Sequence, residues 1–225
     1  DSSLFYFEKA KELAIQLDDK HAIASCTRSI GSVYWYKNQL DKTLEYYKQS
    51  LKDFRELGDS QQVSTCVENL GTAYYALGDY EKSINYYKQS YGLVDKEKFP
   101  GEAADCLNDI GSIYQEWGNQ DKALEYFIQS LKTNEANNNT RGNAANLENI
   151  GNVYYSQGNY QKALEYYKRE LKIYQNLNNF REDSKLFSWM YRIAVNEALG
   201  HIRKQKRRYV FSSFTYEDSL IQSLH

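Results

Sequence analysis

The chain is short of the residues that interrupt helices. It has one proline, Pro100, in 225 residues, so almost nothing along its length breaks a helical pattern. No apolar run comes near the roughly 18 residues that a membrane span needs. With 41% hydrophobic residues, 26% charged residues and a mean hydropathy of −0.77, the chain is expected to be folded, water-soluble and cytoplasmic.

Signs of catalysis are missing as well. There is no nucleophile elbow, no HExxH and no Gly-rich nucleotide loop, and the Asp/Glu residues are scattered over helical faces. The expectation is a protein that is not an enzyme. Cysteine is scarce: Cys26, Cys66 and Cys106 stand 40 residues apart. That spacing puts one in each successive structural unit, at a helix-stacking distance of roughly 10 Å, beyond the reach of about 7 Å that a disulfide allows. They read as small buried hydrophobes. His21, His201 and His225 show no ligand-like spacing, so no metal and no cofactor is expected.

What the chain has in abundance is repetition. Gly31, Gly71, Gly111 and Gly151 lie 40 residues apart inside the related words SIGSVYWYKNQLDKTLEYYKQSL, NLGTAYYALGDYEKSINYYKQSY, DIGSIYQEWGNQDKALEYFIQSL and NIGNVYYSQGNYQKALEYYKREL. A fixed period of this size means one unit that buries its apolar face only by stacking on its copies. Apolar and aromatic residues recur at helical spacing, for example Val63, Val67, Leu70, Ala73 and Tyr74, then Ile84, Tyr87 and Tyr91 after a break. Each unit therefore reads as two helices, A and B, joined at Asn38, Gly78, Gly118 or Gly158, residues that accept the left-handed conformation at a helix end. Asp79, Asn119 and Asn159 follow as expected caps of helix B. Residues 4–19 lie in register with 44–59, so the sequence opens in mid-repeat and an upstream repeat is expected. The fold class predicted is all-α, an α-α superhelix: half a repeat and four helix pairs over residues 1–178, then a distinct segment at 179–225.

These residues resemble the tetratricopeptide repeat, in its longer variety. A large apolar residue, Gly, then Tyr three residues on is met by Ile30-Gly31-Tyr34, Leu70-Gly71-Tyr74, Ile110-Gly111-Tyr114 and Ile150-Gly151-Tyr154. The small residue of helix B is Thr43, Ser83, Ala123 and Ala163, and its aromatic partner is Tyr47, Tyr87, Phe127 and Tyr167. The family's helix-B proline is absent from every copy.

In that family the inner face is lined by helix A at fixed offsets from the Gly. The resemblance implies a scaffold that holds an extended peptide, with Arg28, Trp35, Asn69, Tyr75, Asn108, Asp109, Asn149, Asn152 and Tyr155 as its binding residues. An Asn amide suits a peptide backbone because it donates to C=O and accepts from N–H at once. Glu68, Asp105, Asp109, Glu116 and Glu148 outnumber Arg28 on and beside this row, which favours a basic or neutral polar partner over an acidic tail.

The charge is uneven. Residues 1–180 hold 20 Lys/Arg against 25 Asp/Glu, whereas residues 181–208 hold eight against three. Phe187, Met190, Ile193, Ala194, Glu197 and Ala198 at helical spacing, followed by cations, predict a basic amphipathic helix. Residues 176–208 resemble part of region 2, the promoter-melting region, of bacterial extracytoplasmic-function RNA polymerase sigma factors. The resemblance implies nucleic-acid contacts from Trp189, Tyr191, Arg192, Asn196, Arg203, Lys204, Lys206, Arg207 and Arg208, by stacking and phosphate contact. The acidic helix and second DNA-binding domain of such factors are missing. At most weak, sequence-indifferent binding of single-stranded DNA is therefore expected, and a transcription-linked regulator is the alternative to the scaffold.

Overall fold

The 40-residue period becomes a 40-residue rhythm of helices in the computed structural model, which describes residues 2–176, 200–202 and 204. Through Asn176 the described elements are α1 (Ser2–Gln16), α2 (Lys20–Tyr36), α3 (Leu40–Leu57), α4 (Ser60–Ala76), α5 (Tyr80–Leu93), α6 (Pro100–Glu116), α7 (Gln120–Ala136), α8 (Thr140–Ser156) and α9 (Tyr160–Asn176). Helix A is α2, α4, α6 and α8, helix B is α3, α5, α7 and α9, and α1 is a lone helix B. Within each series the starts fall 40 residues apart.

The punctuation has local causes. Asn38, Gly78, Gly118 and Gly158 carry φ of 56°, 75°, 85° and 75°, the conformation that reverses the chain between A and B. Asp79 Oδ1, Asn119 Oδ1 and Asn159 Oδ1 then accept from the backbone N–H of Lys82, Lys122 and Lys162 at 3.1, 3.1 and 3.3 Å, as the sequence predicts. Helix A is capped likewise by Asp19, Asp59 and Asn139. The exception is α6, where Pro100 stands at the first helical position and has no N–H to satisfy. Upstream of it α5 has 14 residues against 17 or 18 in α3, α7 and α9. Asp95 Oδ1 accepts from the N–H of Glu97 and of Lys98 at 3.2 Å, offering the backbone a turn in place of another helical turn.

The chain forms two compact units, Asp1–Thr133 and Asn134–His225. The expected boundary at 178/179 and the predicted basic amphipathic helix lie outside the described residues, apart from the helical residues 200–202 and 204. The first unit's core is built from Ile30, Phe54, Val67, Leu70, Ile110 and Phe127, and the second's includes Leu147, Ile150, Val153 and Tyr167. Each such side chain contributes about 1.5–3 kcal/mol by leaving water. The repeated Gly is needed for the aromatic residue of helix B. A Cβ at Gly111 would lie 2.7 Å from the Phe127 ring, and one at Gly151 would lie 2.5 Å from the Tyr167 ring. The sequence predicts a clash of backbones at this crossing, but what the glycine admits is a ring. Cys66 and Cys106 are buried, Cys26 is half-buried, and all three thiols are unbridged.

Candidate peptide-binding surface

Helix A carries the expected row, and its members differ in how far they are already engaged. The residue after three of the four repeated glycines is tied to its own helix B. The Ser32 and Tyr47 hydroxyls meet at 3.1 Å, those of Thr72 and Tyr87 at 2.9 Å, and in the second unit the Tyr167 hydroxyl donates to Asn152 Oδ1 at 2.7 Å. Phe127 has no hydroxyl to offer, and Ser112 instead donates to the carbonyl of Asn108 at 3.0 Å. Asn152 thus orients a core tyrosine as well as facing solvent.

Arg28 is drawn into packing between repeats. Its Nη1 donates to Gln62 Oε1 at 2.5 Å and its guanidinium lies 5.8 Å from the Phe54 ring centroid. Trp35 is half-buried against the core of the first unit. Tyr75 packs on Tyr80 with ring centroids 6.0 Å apart, and burial together with a hydrogen bond to Glu116 pushes its hydroxyl up. Asn69 and Asn108 are half-buried on α4 and α6.

The acids of this row are strained electrostatically. Asp109 is pushed up to about 7, first by burial and then by Asp105 and Glu68; Asp105 is raised too, by burial and by Glu102. Glu68 Oε1 accepts from the Ser90 hydroxyl at 2.7 Å. Among the described residues no Lys or Arg bridges these three carboxylates. In the second unit Glu170 is pushed up to about 7 by burial and then by Glu148. It stands at the helix-B position held by Ser50, Ser90 and Ser130 in earlier copies. Asn149 and Tyr155 are half-buried on α8, and Tyr155 meets Tyr160 edge to face at 5.2 Å.

Two features escape a reading by family offsets. Tyr34, Tyr74, Tyr114 and Tyr154 each stack on the tyrosine opposite in helix B at 5.4 to 5.5 Å. Lys42, Lys82, Lys122 and Lys162 lie over the same four rings at 4.8 to 5.2 Å, a cation–π contact repeated in every pair. The lysines are 40 residues apart in sequence, so periodicity alone carried that signal. The second feature is the helix-B tyrosines Tyr80 and Tyr160, which pack on the row aromatics. A hollow of about 590 Å³ between α1, α2 and α3 is lined by Lys11, Lys20, Asp53 and Glu56 among others, and by none of the row residues.

Of the nine nucleic-acid candidates, Lys204 is described and exposed, whereas Trp189, Tyr191, Arg192, Asn196, Arg203, Lys206, Arg207 and Arg208 lie outside the described residues. No helix among the described residues is long and apolar enough to cross a membrane.

The repeat, its glycine–aromatic crossing and its helix-A row define a helical repeat scaffold. The tetratricopeptide repeat pattern matches residues 29–96, 63–136 and 107–176, and the chain belongs to that family, whose members bind protein partners. The match ends at residue 176, and no family match supports the sigma-factor resemblance expected for residues 176–208. No curated protein matches the chain in sequence. Among solved structures it is similar to BtubC from P. vanneervenii, with a TM-score of 0.68 at 18% identity over 94% of this chain and 91% of that one. It is similar to aspartyl phosphate phosphatase F from Bacillus subtilis, with a TM-score of 0.70 at 19% identity over 93% of this chain and 57% of that one. It also resembles a signal transduction ATPase with a tetratricopeptide repeat sensor from Pyrococcus horikoshii, at 0.71 and 19% over 94% of this chain and 34% of that one. At these identities the likeness is one of fold.

Proposed function

We propose that the chain is a non-catalytic scaffold whose helix-A rows bind an extended, basic or neutral polar peptide segment of a partner protein. The observation that carries this reading is the acidic group Glu68, Asp105 and Asp109, which meets no Lys or Arg among the described residues and lies beside the amides of Asn69 and Asn108. A partner cation would relieve the repulsion that Asp109 meets from Asp105 and Glu68, while the amides hold the peptide backbone. Asn149 extends the same chemistry on α8. The array is assigned to residues 1–178, with 179–225 a separate segment.

The test is a selection of displayed peptides on the full chain. Enriched sequences should carry Lys or Arg among neutral polar residues, and the triple change Asn69→Ala, Asn108→Ala and Asn149→Ala should abolish their binding. Because these asparagines are half-buried, unfolding free energy should move by only about 1 kcal/mol, and the helical circular dichroism should persist. Enrichment of acidic peptides, or retained affinity in the triple variant, would refute the proposal.

A further inference from the structure

In the first unit the Tyr75–Tyr80 pair is approached by Trp117, 6.2 Å from Tyr80. The third copy has Gln115 and Gln120 at the corresponding positions, and Gln120 Oε1 is buried with no hydrogen-bond partner among the described residues. The second unit restores both tyrosines, as Tyr155 and Tyr160, and the ring that closes on them belongs to the C-terminal part of the chain. His201 stacks on Tyr160 at 4.7 Å with an interplanar angle of 21° and stands edge-on to Tyr155 at 6.0 Å and 90°. A planar imidazole seated on one aromatic face and against the edge of a second is held by both rings.

The residues around this socket suit a cation. Glu148 and Glu170 bear, with Tyr155, on the Tyr167 hydroxyl, which is pushed up to about 12 by burial first and then by these neighbours. His201 begins the chain's most cationic stretch, since Arg203, Lys204, Lys206, Arg207 and Arg208 follow within seven residues. Gly200, His201, Ile202 and Lys204 are helical, and His201 and Lys204 are exposed, so the contact is made by side chains at the surface and is open to competition.

We infer that His201 is an intramolecular ligand of the fourth helix pair, seated on the Tyr155–Tyr160 pair, and that a partner peptide must displace it to reach Tyr155. The second clause rests on the peptide-binding reading given above, and the first does not. Docking of this kind covers the Tyr155 face of α8 until a competitor arrives, because a tethered ligand acts at high effective concentration and lowers the apparent affinity of a rival by the fraction of time the site is covered.

Two measurements on the full chain test it. With only three histidines, His21, His201 and His225, the imidazole protons are assignable by single His→Gln changes. Those of His201 should be shifted upfield by the ring current of Tyr160, and should return to the free-histidine position in Tyr160→Leu. A fluorescein-labelled peptide of the chain's own sequence LGHIRKQKRR, added in trans, should bind His201→Ala roughly tenfold more tightly than the unaltered chain, with no gain for His225→Ala. Unshifted His201 protons would overturn the docking, and equal peptide affinity for the unaltered chain and His201→Ala would overturn the occlusion. The triple asparagine variant should leave the His201 shift unchanged, so failure of the peptide-binding reading is distinguishable from failure of the docking.

Discussion

The two compact units fill the same period with different chemistry. In the first, Ser50 meets Cys66 and Ser90 meets Cys106, each at 3.5 Å, with Phe54 and Val94 buried nearby in sequence. At the corresponding positions of the second unit stand Asn146 and Asn134, 1% and 3% exposed. Asn134 Nδ2 donates to Asn146 Oδ1 at 2.8 Å, Asn139 Nδ2 donates to Asn134 Oδ1 at 2.8 Å, and Asn139 Oδ1 accepts from the Gly142 N–H at 3.0 Å. A Cβ on Gly142 would lie 2.5 Å from the Asn134 amide nitrogen, so glycine makes room for the network as Gly111 makes room for Phe127. The difference teaches that the repeat prescribes backbone spacing and leaves the filling open, provided that the polar side chains it brings into the core, here Asn134 and Asn146, find partners.

The change that should break this contrast most is Asn134→Leu. It restores the apolar character of Phe54 and Val94 but takes a donor from the buried Asn146 side chain and an acceptor from the half-buried Asn139 amide, at about 1–3 kcal/mol for a buried hydrogen bond lost. A loss of about 2–4 kcal/mol in denaturant unfolding is expected, and the further change Asn146→Leu should recover part of it. No loss in Asn134→Leu would mean that the network is dispensable. Next in size is Gly111→Ala, where the new Cβ meets a ring that is 0% exposed. Roughly 1–3 kcal/mol should be lost by overpacking, and Phe127→Leu in the same chain should give some of it back. Gly58→Ala meets no atom within 4 Å and acts only through its φ of 70°, so the same Phe127→Leu change should leave its effect unaltered.

The smallest effect separates the two acids pushed up to about 7, Asp109 and Glu170. The folded value of Asp109 lies above that of an ordinary carboxylate, so the stability linked to its proton is present below pH about 4 and is lost as pH rises through about 7. Asp109→Asn should flatten the fall in unfolding free energy between those values and stabilise the chain at pH 8 by on the order of 1 kcal/mol. Glu170→Gln should flatten the same window for its own reason, burial beside Glu148. If the pH profile keeps its slope in Asp109→Asn, the burial and repulsion assigned to this carboxyl are wrong.

Much of the surface chemistry was legible because it repeats. Helix starts, turn residues and caps recur at 40-residue intervals, and a periodic signal survives changes in individual copies. The row was legible in position but not in state. Arg28 stands where the family places a groove residue, yet its guanidinium is held by Gln62, 34 residues on, and no local pattern announces such a partner. Asn134 reads in the sequence as one more polar residue in an asparagine-rich loop, and its burial depends on Asn146 arriving 12 residues later.

The sequence by itself determined the period, the all-helical class and the helix ends, because these follow from spacing and from backbone preferences within a few residues. Only the tertiary structure decided how polar groups on the helix-A rows are engaged, where two acids are crowded enough to hold protons near neutrality, and that His201 lies on Tyr160. Those outcomes depend on burial and on distances between residues far apart in the chain, and burial is a property of the stacked array that no single helix carries.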